Sequence, residues 1–308
     1  MRAVVVSEWG GPEVLTETEV ERPEPGLGEV LVRVHAAGVN PVDWKTRASG
    51  GLIAWGELPQ VGWDLSGTVE AAGPGVTAFR PGDEVFGMPL FPRQASAYAE
   101  YAVVPARQLA AKPAGLSHVE AAALPLAALT AWQALVDTAA VRPGERVLVH
   151  AAAGGVGHFA VQIAKALGAY VIGTASAGKH ELVRSLGADE VVDYREVRFE
   201  DVLSDVDVVL DGMGGETAER SLKVLRAGGR LVTLPGPDDV PAAVPAGLRA
   251  EWMLVEPDQA GLREIAALVE RGALKPVVET VLPLAEAARA HEIGERGRTA
   301  GKIVLSVV

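Results

Sequence analysis

The residues of this chain with the clearest chemical potential are Ala152-Ala153-Gly154-Gly155-Val156-Gly157. An apolar run, Arg146 to His150, precedes them, and a helical pattern through Gln162, Ile163, Ala164 and Leu167 follows. Strand, tight turn and helix start in that order offer a phosphate unpaired backbone N–H groups and the positive end of a helix dipole. A side chain larger than glycine in the turn would hold a pyrophosphate away. The spacing Ala152-x-Gly154-x-x-Gly157 is a dinucleotide fingerprint whose first glycine is alanine. The plainer reading is an ordinary glycine-rich turn, but repeated βα units follow. Ala152, Gly154, Gly155, Val156 and Gly157 are therefore the expected phosphate cradle.

In such a fold an acidic residue about 20 positions further on holds the adenosine ribose. Here the strand from Tyr170 to Thr174 runs into Ala175-Ser176-Ala177-Gly178-Lys179, with no Asp or Glu at its end. The next strand ends in Tyr194-Arg195. A carboxylate would repel a 2′-phosphate, whereas Ser176, Lys179, Tyr194 and Arg195 can hold one by charge and hydrogen bonds. The pattern predicts NADPH rather than NADH. The competing reading of Lys179 is the start of a solvated helix face.

A second candidate group is Asn40-Pro41-Val42-Asp43-Trp44-Lys45. Asn40 can bond a ligand or cap a turn before Pro41, and residue type alone leaves both open. Asp43 and Lys45 can orient it or supply a proton, although a surface salt bridge is the simpler reading of that pair. The six histidines are scattered without metal-ligand spacing. Cysteine is absent, which excludes disulfides, thiolate zinc sites and a cysteine nucleophile. No metal is expected.

The elements that must position these residues are legible in outline. At 308 residues the chain has room for two domains, and 49% hydrophobic with 22% charged residues is a globular balance. A net charge of −12 argues against a nucleic-acid surface. Met1 to Glu8 reads as a strand rather than a signal peptide, and the Ala121–Ala131 run is short and broken by Pro125, so no membrane span is expected. The expected location is cytoplasmic.

The first third is strand-rich, with runs at Val4–Val6, Glu29–Val34, Thr68–Ala72, Glu84–Phe86 and Ala99–Val104 between Gly/Pro turns. It predicts a compact antiparallel barrel-like domain. Ser117-His118-Val119-Glu120 is a capping-box signature, and a further helix spans about Ala127 to Ala139 beyond Pro125. From Arg146 strands alternate with helices through Arg230–Leu234, with another strand at Glu251–Val255, which predicts a parallel doubly wound α/β sheet. Helices at Ala260–Glu270 and Ala285–Ile293 and a strand at Lys302–Val307 return the chain to its first domain.

Taken together these residues resemble the medium-chain dehydrogenase/reductase superfamily, in its zinc-independent quinone oxidoreductase and enoyl-reductase-like branch. Gly62-Trp63-Asp64-Leu65-Ser66-Gly67, then Gly73 and Val76, follow the spacing of the zinc alcohol dehydrogenase signature, with Trp63 at the zinc-binding His and Asp64 at the acid. Asn40 stands where the zinc enzymes carry a ligand Cys. The structural-zinc lobe is missing. Gly187 to Tyr194 and Gly301-Lys302-Ile303-Val304-Leu305 also look like this branch.

The resemblance implies a β-rich GroES-like catalytic domain, residues 1–120 with 257–308, and a Rossmann NADPH-binding domain, residues 121–256. It implies that Asn40 contacts the nicotinamide ribose, that Thr130 lies near the nicotinamide, and that Gly301 and Lys302 belong to the cofactor site. For Thr130 the alternative is a helical hydroxyl bonded to backbone. A homodimer through edge strands is implied, with Glu251–Val255 as the candidate. Some enoyl reductases of the superfamily use a tyrosine soon after the Asn segment as proton donor; Gly50 to Trp55 contains none. Tyr98 and Tyr101, the nearest, read as strand packing. The implied activity is hydride transfer from NADPH to a small conjugated acceptor, a quinone or α,β-unsaturated carbonyl. An enoyl-thioester reductase of a biosynthetic pathway and an NADPH-binding protein with a mainly non-catalytic role remain the alternatives.

Overall fold

A computed structural model describes residues 1–50 and 61–307. The tyrosine-free segment read above lies, beyond Gly50, outside the described residues. The chain divides into two units, 1–129 with 256–272 and 276–308, and 130–255 with 273–275. The first division falls nine residues beyond the expected 120/121 boundary. The reason is that the capped helix after Ser117 packs on strands of the first unit.

The first unit contains β1 (Arg2–Val6), β2 (Leu15–Glu19), β3 (Glu29–Val39), α1 (Pro41–Ser49), β4 (Asp64–Ala72), β5 (Glu84–Gly87), β6 (Tyr101–Pro105), β7 (Leu109–Ala111) and α2 (His118–Ala122). Helix α3 (Pro125–Trp132) crosses into the second unit. Pro125 opens α3 rather than interrupting it, as proline's fixed φ and missing N–H allow at a first position. The second unit holds β8 (Arg146–Val149), α4 (Gly157–Ala166), β9 (Tyr170–Ala175), α5 (His180–Ser185), β10 (Glu190–Asp193), α6 (Phe199–Val202), β11 (Val206–Asp211), α7 (Glu216–Ser221), β12 (Leu225–Thr233) and β13 (Arg249–Trp252). The chain returns to the first unit with α8 (Gln259–Glu270), β14 (Val278–Pro283), α9 (Ala287–Glu295) and β15 (Lys302–Ser306).

β3 is the spine of the first unit. Its first half pairs with β6, its second half with β15, and its length with β4, in a sheet ordered β14-β15-β3-β4-β5-β7. Two register shifts against β4, between Leu31 and Val32 and between Val34 and Ala36, mark irregularities that let one long strand serve several partners. The antiparallel expectation needs one correction: β14 and β15 run parallel, because α9 supplies the crossover between them. Valines 30, 32 and 34 with Leu65, Val85, Val104, Ile303 and Leu305 form the core.

The second unit is one parallel sheet ordered β10-β9-β8-β11-β12-β13. This is the doubly wound order, with its switch point between β8 and β11. β11 is buried along its whole length, as a strand covered on both faces should be. The helix expected over Ala127–Ala139 is α3 followed by a π-helical stretch, Gln133–Thr138. Strand β13 begins at Arg249 and ends at Trp252, shifted toward the N-terminus from the expected Glu251–Val255.

Candidate functional site

The glycine turn of the second unit is built from backbone. Gly157 opens α4, and a Cβ there would lie 2.2 Å from the Ala151 carbonyl oxygen and 2.8 Å from the Ala152 Cα. Glycine is therefore required for the helix to start this close to the strand end. A Cβ on Gly154 would meet the same carbonyl at 3.1 Å. Ala152 is tolerated at the first fingerprint position because its neighbour on β9 is Gly173, where an added Cβ would approach the Ala152 Cβ to 2.8 Å. The small residue has moved one strand over. Gly154, Gly155 and Val156 keep part of their surface open to solvent, whereas Ala152 and Gly157 are buried.

His150 holds the turn from beneath. Ser221 Oγ donates to the Thr217 carbonyl, so it accepts from His150 Nε2 at 3.0 Å. His150 Nδ1 then accepts from Thr174 Oγ1 at 3.1 Å, and Thr174 in turn receives the N–H groups of Ala151 and Ala152. Burial pushes the imidazole down to about 3, so it is neutral.

Strands β9 and β10 are parallel neighbours with Ala175 opposite Asp193. The residues that follow, Ser176 and Tyr194, thus leave the sheet side by side. Lys179 closes the turn after β9, its N–H bonded to the Ser176 carbonyl. Tyr194 and Arg195 are exposed, with the Arg195 guanidinium 5.7 Å from the Tyr194 ring centre. All four residues expected at a 2′-phosphate therefore lie at the carboxyl ends of two adjacent strands.

The first unit gathers a different set. Strands β4, β3 and β15 align so that Gly38 faces Asp64 and Val39 faces Ile303. Asn40 follows β3, and Asp64 and Lys302 are the first residues of their strands. All three are buried. Asn40 Nδ2 donates to Asp64 Oδ2 at 2.8 Å, and Lys302 Nζ donates to the Asn40 Oδ1 and, at 2.9 Å, to the Val39 carbonyl. Lys302 also pairs with Asp64 at 3.6 Å. The second Asp64 oxygen caps α3, accepting the Leu126 N–H at 2.7 Å. Gly38 makes room for this carboxylate, since a Cβ there would lie 2.9 Å from Asp64 Oδ2. Burial pushes Asp64 upward and Lys302 downward, and each charge opposes part of the other's shift.

Asp43 lies behind Asn40. Its carboxylate accepts the Asn40 N–H at 2.6 Å, the Gly62 N–H at 3.1 Å and the Tyr98 hydroxyl at 3.1 Å. Burial holds it up to about 7. His291 accepts from Arg47 at Nδ1 and reaches the Tyr98 oxygen at 3.4 Å through Nε2, and Arg47 also pairs with Glu295.

Several sequence expectations change against this geometry. Asp43 and Lys45 form no surface salt bridge: one turn of α1 sends Asp43 into the core and Lys45 outward to solvent. The Lys302 ammonium, expected at the cofactor, turns inward to Asn40 and Asp64. Gly301 serves backbone geometry, with φ +73° and no space for a Cβ beside the Val277 carbonyl. Trp63, at the zinc-histidine position of the resemblance, is a core side chain whose indole donates to the Arg93 carbonyl at 2.7 Å. Tyr98 is buried on Asp43, and Tyr101 is stacked under Arg22, 4.0 Å from its ring centre. Thr130 is buried on α3. Sequence reasoning missed the partnerships of Asp64 with Asn40 and of Tyr98 with Asp43, and gave no role to His291 or Arg47. Strand register brings Asp64 to Asn40, and the packing of α9 on α1 brings His291 to Arg47.

Among the described residues no three His, Asp or Glu side chains group as a metal site, and no helix is long and apolar enough to cross a membrane.

Two family models match the chain, the alcohol dehydrogenase GroES-like domain over residues 26–114 and the zinc-binding dehydrogenase over 186–305. Mouse quinone oxidoreductase is 37% identical over 328 residues, covering 99% of this chain and 97% of that protein. An NADPH-dependent alkenal/one oxidoreductase of Arabidopsis thaliana is 37% identical, covering 99% of this chain and 79% of its own length. A quinone oxidoreductase from Escherichia coli, solved in complex with NADPH, superposes with a TM-score of 0.88 at 33% identity over 100% of both chains. Doubly wound order, glycine turn, GroES-like strand set and these relatives agree: the chain belongs to the medium-chain dehydrogenase/reductase family, among its quinone oxidoreductase-like members.

Proposed function

We propose that the protein is a zinc-independent, NADPH-dependent oxidoreductase that reduces a quinone or an α,β-unsaturated carbonyl. The observation that carries this reading is the Asn40–Asp64–Lys302 cluster. At the position where zinc enzymes of the family present a thiolate, this chain presents an amide bonded to a buried ammonium and a carboxylate. That donor set does not suit a Lewis-acid metal. Conjugated acceptors need none, because the electron pair of the hydride is taken up by the conjugated system and water supplies the balancing proton, to the α-carbon of an enolate or to an oxygen of a hydroquinone.

The glycine turn and the α4 N-terminus suit the pyrophosphate, since a Cβ at Gly157 would fill the cradle. Ser176, Lys179, Tyr194 and Arg195 suit the 2′-phosphate. When bound, NADPH supplies the hydride. Asn40 and Thr130 hold the nicotinamide end in register for transfer, a positioning role. The Arg249–Trp252 strand, at the edge of its six-stranded sheet, is the surface for a homodimer.

The test is an assay of 1,4-benzoquinone, 9,10-phenanthrenequinone, an enone, an enoyl thioester, ethanol and benzyl alcohol with the matched cofactor across a pH range, with zinc analysis of the active protein. Turnover of quinones or enones without stoichiometric zinc is expected. Turnover of the thioester alone would select the biosynthetic alternative. Efficient alcohol oxidation with no conjugated-acceptor activity would overturn the proposal.

A further inference from the structure

We infer that Lys302 and Asp64 form a positioning device for Asn40, doing with a buried ion pair what a metal does for its ligand elsewhere in the family. This rests on the reading of Asn40 as a nicotinamide-end contact.

An asparagine amide can rotate about its last torsion, and its two ends differ only in whether they donate or accept. Here each end meets a partner of fixed character. Lys302 only donates and sits at the Asn40 oxygen; Asp64 accepts from the Asn40 nitrogen at one oxygen and from the Leu126 N–H at the other. Reversing the amide would set N–H against ammonium and carbonyl against carboxylate. One rotamer is enforced, and the remaining N–H and lone pair of the amide are aimed with it.

The anchors are themselves immobile. Lys302 Nζ is also held by the Val39 carbonyl, the residue just before Asn40. Asp64 Oδ1 is held by the Leu126 N–H at the start of α3, the helix that carries Thr130. One carboxylate therefore ties the Asn40 turn to that helix. Glycine at 38 is what admits it. A buried ion pair is seldom retained for stability, because desolvation offsets most of the Coulomb gain. Geometric specification is the better account of this one.

The experiment compares Asn40→Ala, Lys302→Met, the charge-neutral pair Lys302→Met/Asp64→Asn, and Asn40→Ala combined with that pair. Each is assayed with NADPH and a quinone, with thermal melts and NADPH affinity measured alongside. Lys302→Met alone leaves a buried carboxylate unpaired and is expected to melt early. The neutral pair restores the melt yet should keep kcat about ten-fold or more below the parent, since Asn40 has lost the group that fixes its oxygen. On the Asn40→Ala background the pair should cost nothing more, because it acts through Asn40.

Recovery of kcat together with the melt would show a purely structural ion pair and overturn the proposal. So would full additivity with Asn40→Ala. A normal kcat in Asn40→Ala itself would instead overturn the reading of Asn40, independently of how it is held. Should the neutral pair also fail to fold, Lys302→Arg, which keeps charge and donor, supplies the decision. Folded protein with parental kcat and pH profile fits the positioning role, and folded protein whose kcat falls by the same factor on the parental and the Asn40→Ala backgrounds contradicts it.

Discussion

The two units build their candidate sites in opposite ways. The glycine turn of the second unit works by what is missing: no Cβ at Gly157, none at Gly173 beside Ala152, and backbone N–H groups left at the start of α4. The Asn40 cluster of the first unit works by what is added: a carboxylate and an ammonium buried on its side-chain amide, and a second carboxylate on its backbone N–H. A backbone cradle suits a phosphate, whose charge is diffuse and whose position follows from helix geometry. An amide that must present one chosen edge needs ionic neighbours of fixed donor or acceptor character. Such neighbours are costly to bury, so they come as a connected set.

The sharpest way to break the first half of this comparison is Gly157→Ala. The added Cβ meets backbone at 2.2 Å, and backbone cannot rotate away. The change should cost about 3 kcal/mol and weaken NADPH on the order of a hundred-fold. Titration of cofactor fluorescence measures it; affinity within a few-fold of the parent would mean that the cradle is softer than its packing says.

Titration separates the units next. His150 is depressed to about 3 in the folded protein against 6.5 when unfolded, so the unfolded state binds the extra proton between those values. Its contribution is intact at pH 7 and is lost as pH falls. By pH 5 the parent should lose about 2 kcal/mol relative to His150→Gln, read from urea unfolding of both at each pH. Parallel pH profiles would place His150 in a wetter site than its Thr174 and Ser221 bonds imply. Asp43, in the first unit, has the opposite sign: raised to about 7, it stabilises most below its unfolded value of 3.8, and that stability is lost as pH rises toward 7.

The smallest expected effect is at Lys179. Its substitution by alanine should weaken NADPH roughly ten-fold or more, because a charge-assisted contact is worth about 1.5–3 kcal/mol, and should leave NADH nearly unchanged. Equal losses for both cofactors would remove Lys179 from the 2′-phosphate site.

The glycine turn was legible because its determinants are local: strand, glycines and helix lie within about one supersecondary unit of sequence. The Ser117–Glu120 capping box was readable for the same reason, and it forms, with Glu120 accepting the Ser117 N–H at 2.9 Å. Helix α1 was missed. Its only sequence signal was Asn40-Pro41 with Asp43 three residues on, which also fits a turn. Strand β14 was missed because its alternating half-exposed pattern carries no apolar run.

What the amino-acid order by itself determined is the doubly wound second unit, its glycine turn and the lack of a carboxylate at the end of β9. Each follows from periodicity or spacing along a short stretch of chain. What only tertiary structure decided is the company of Asn40. Asp64, Tyr98, His291 and Lys302 come from positions up to 262 residues away, and their meeting depends on the register of β3 with β4 and β15 and on the fold of α9 back onto α1. A one-residue slip of β4 against β3 would turn Asp64 to the opposite face, and a slip of β15 would do the same to Lys302. Spacing along the chain carries no record of that register, so a buried lysine at the start of the last strand could be read as a cofactor ligand until its neighbours were seen.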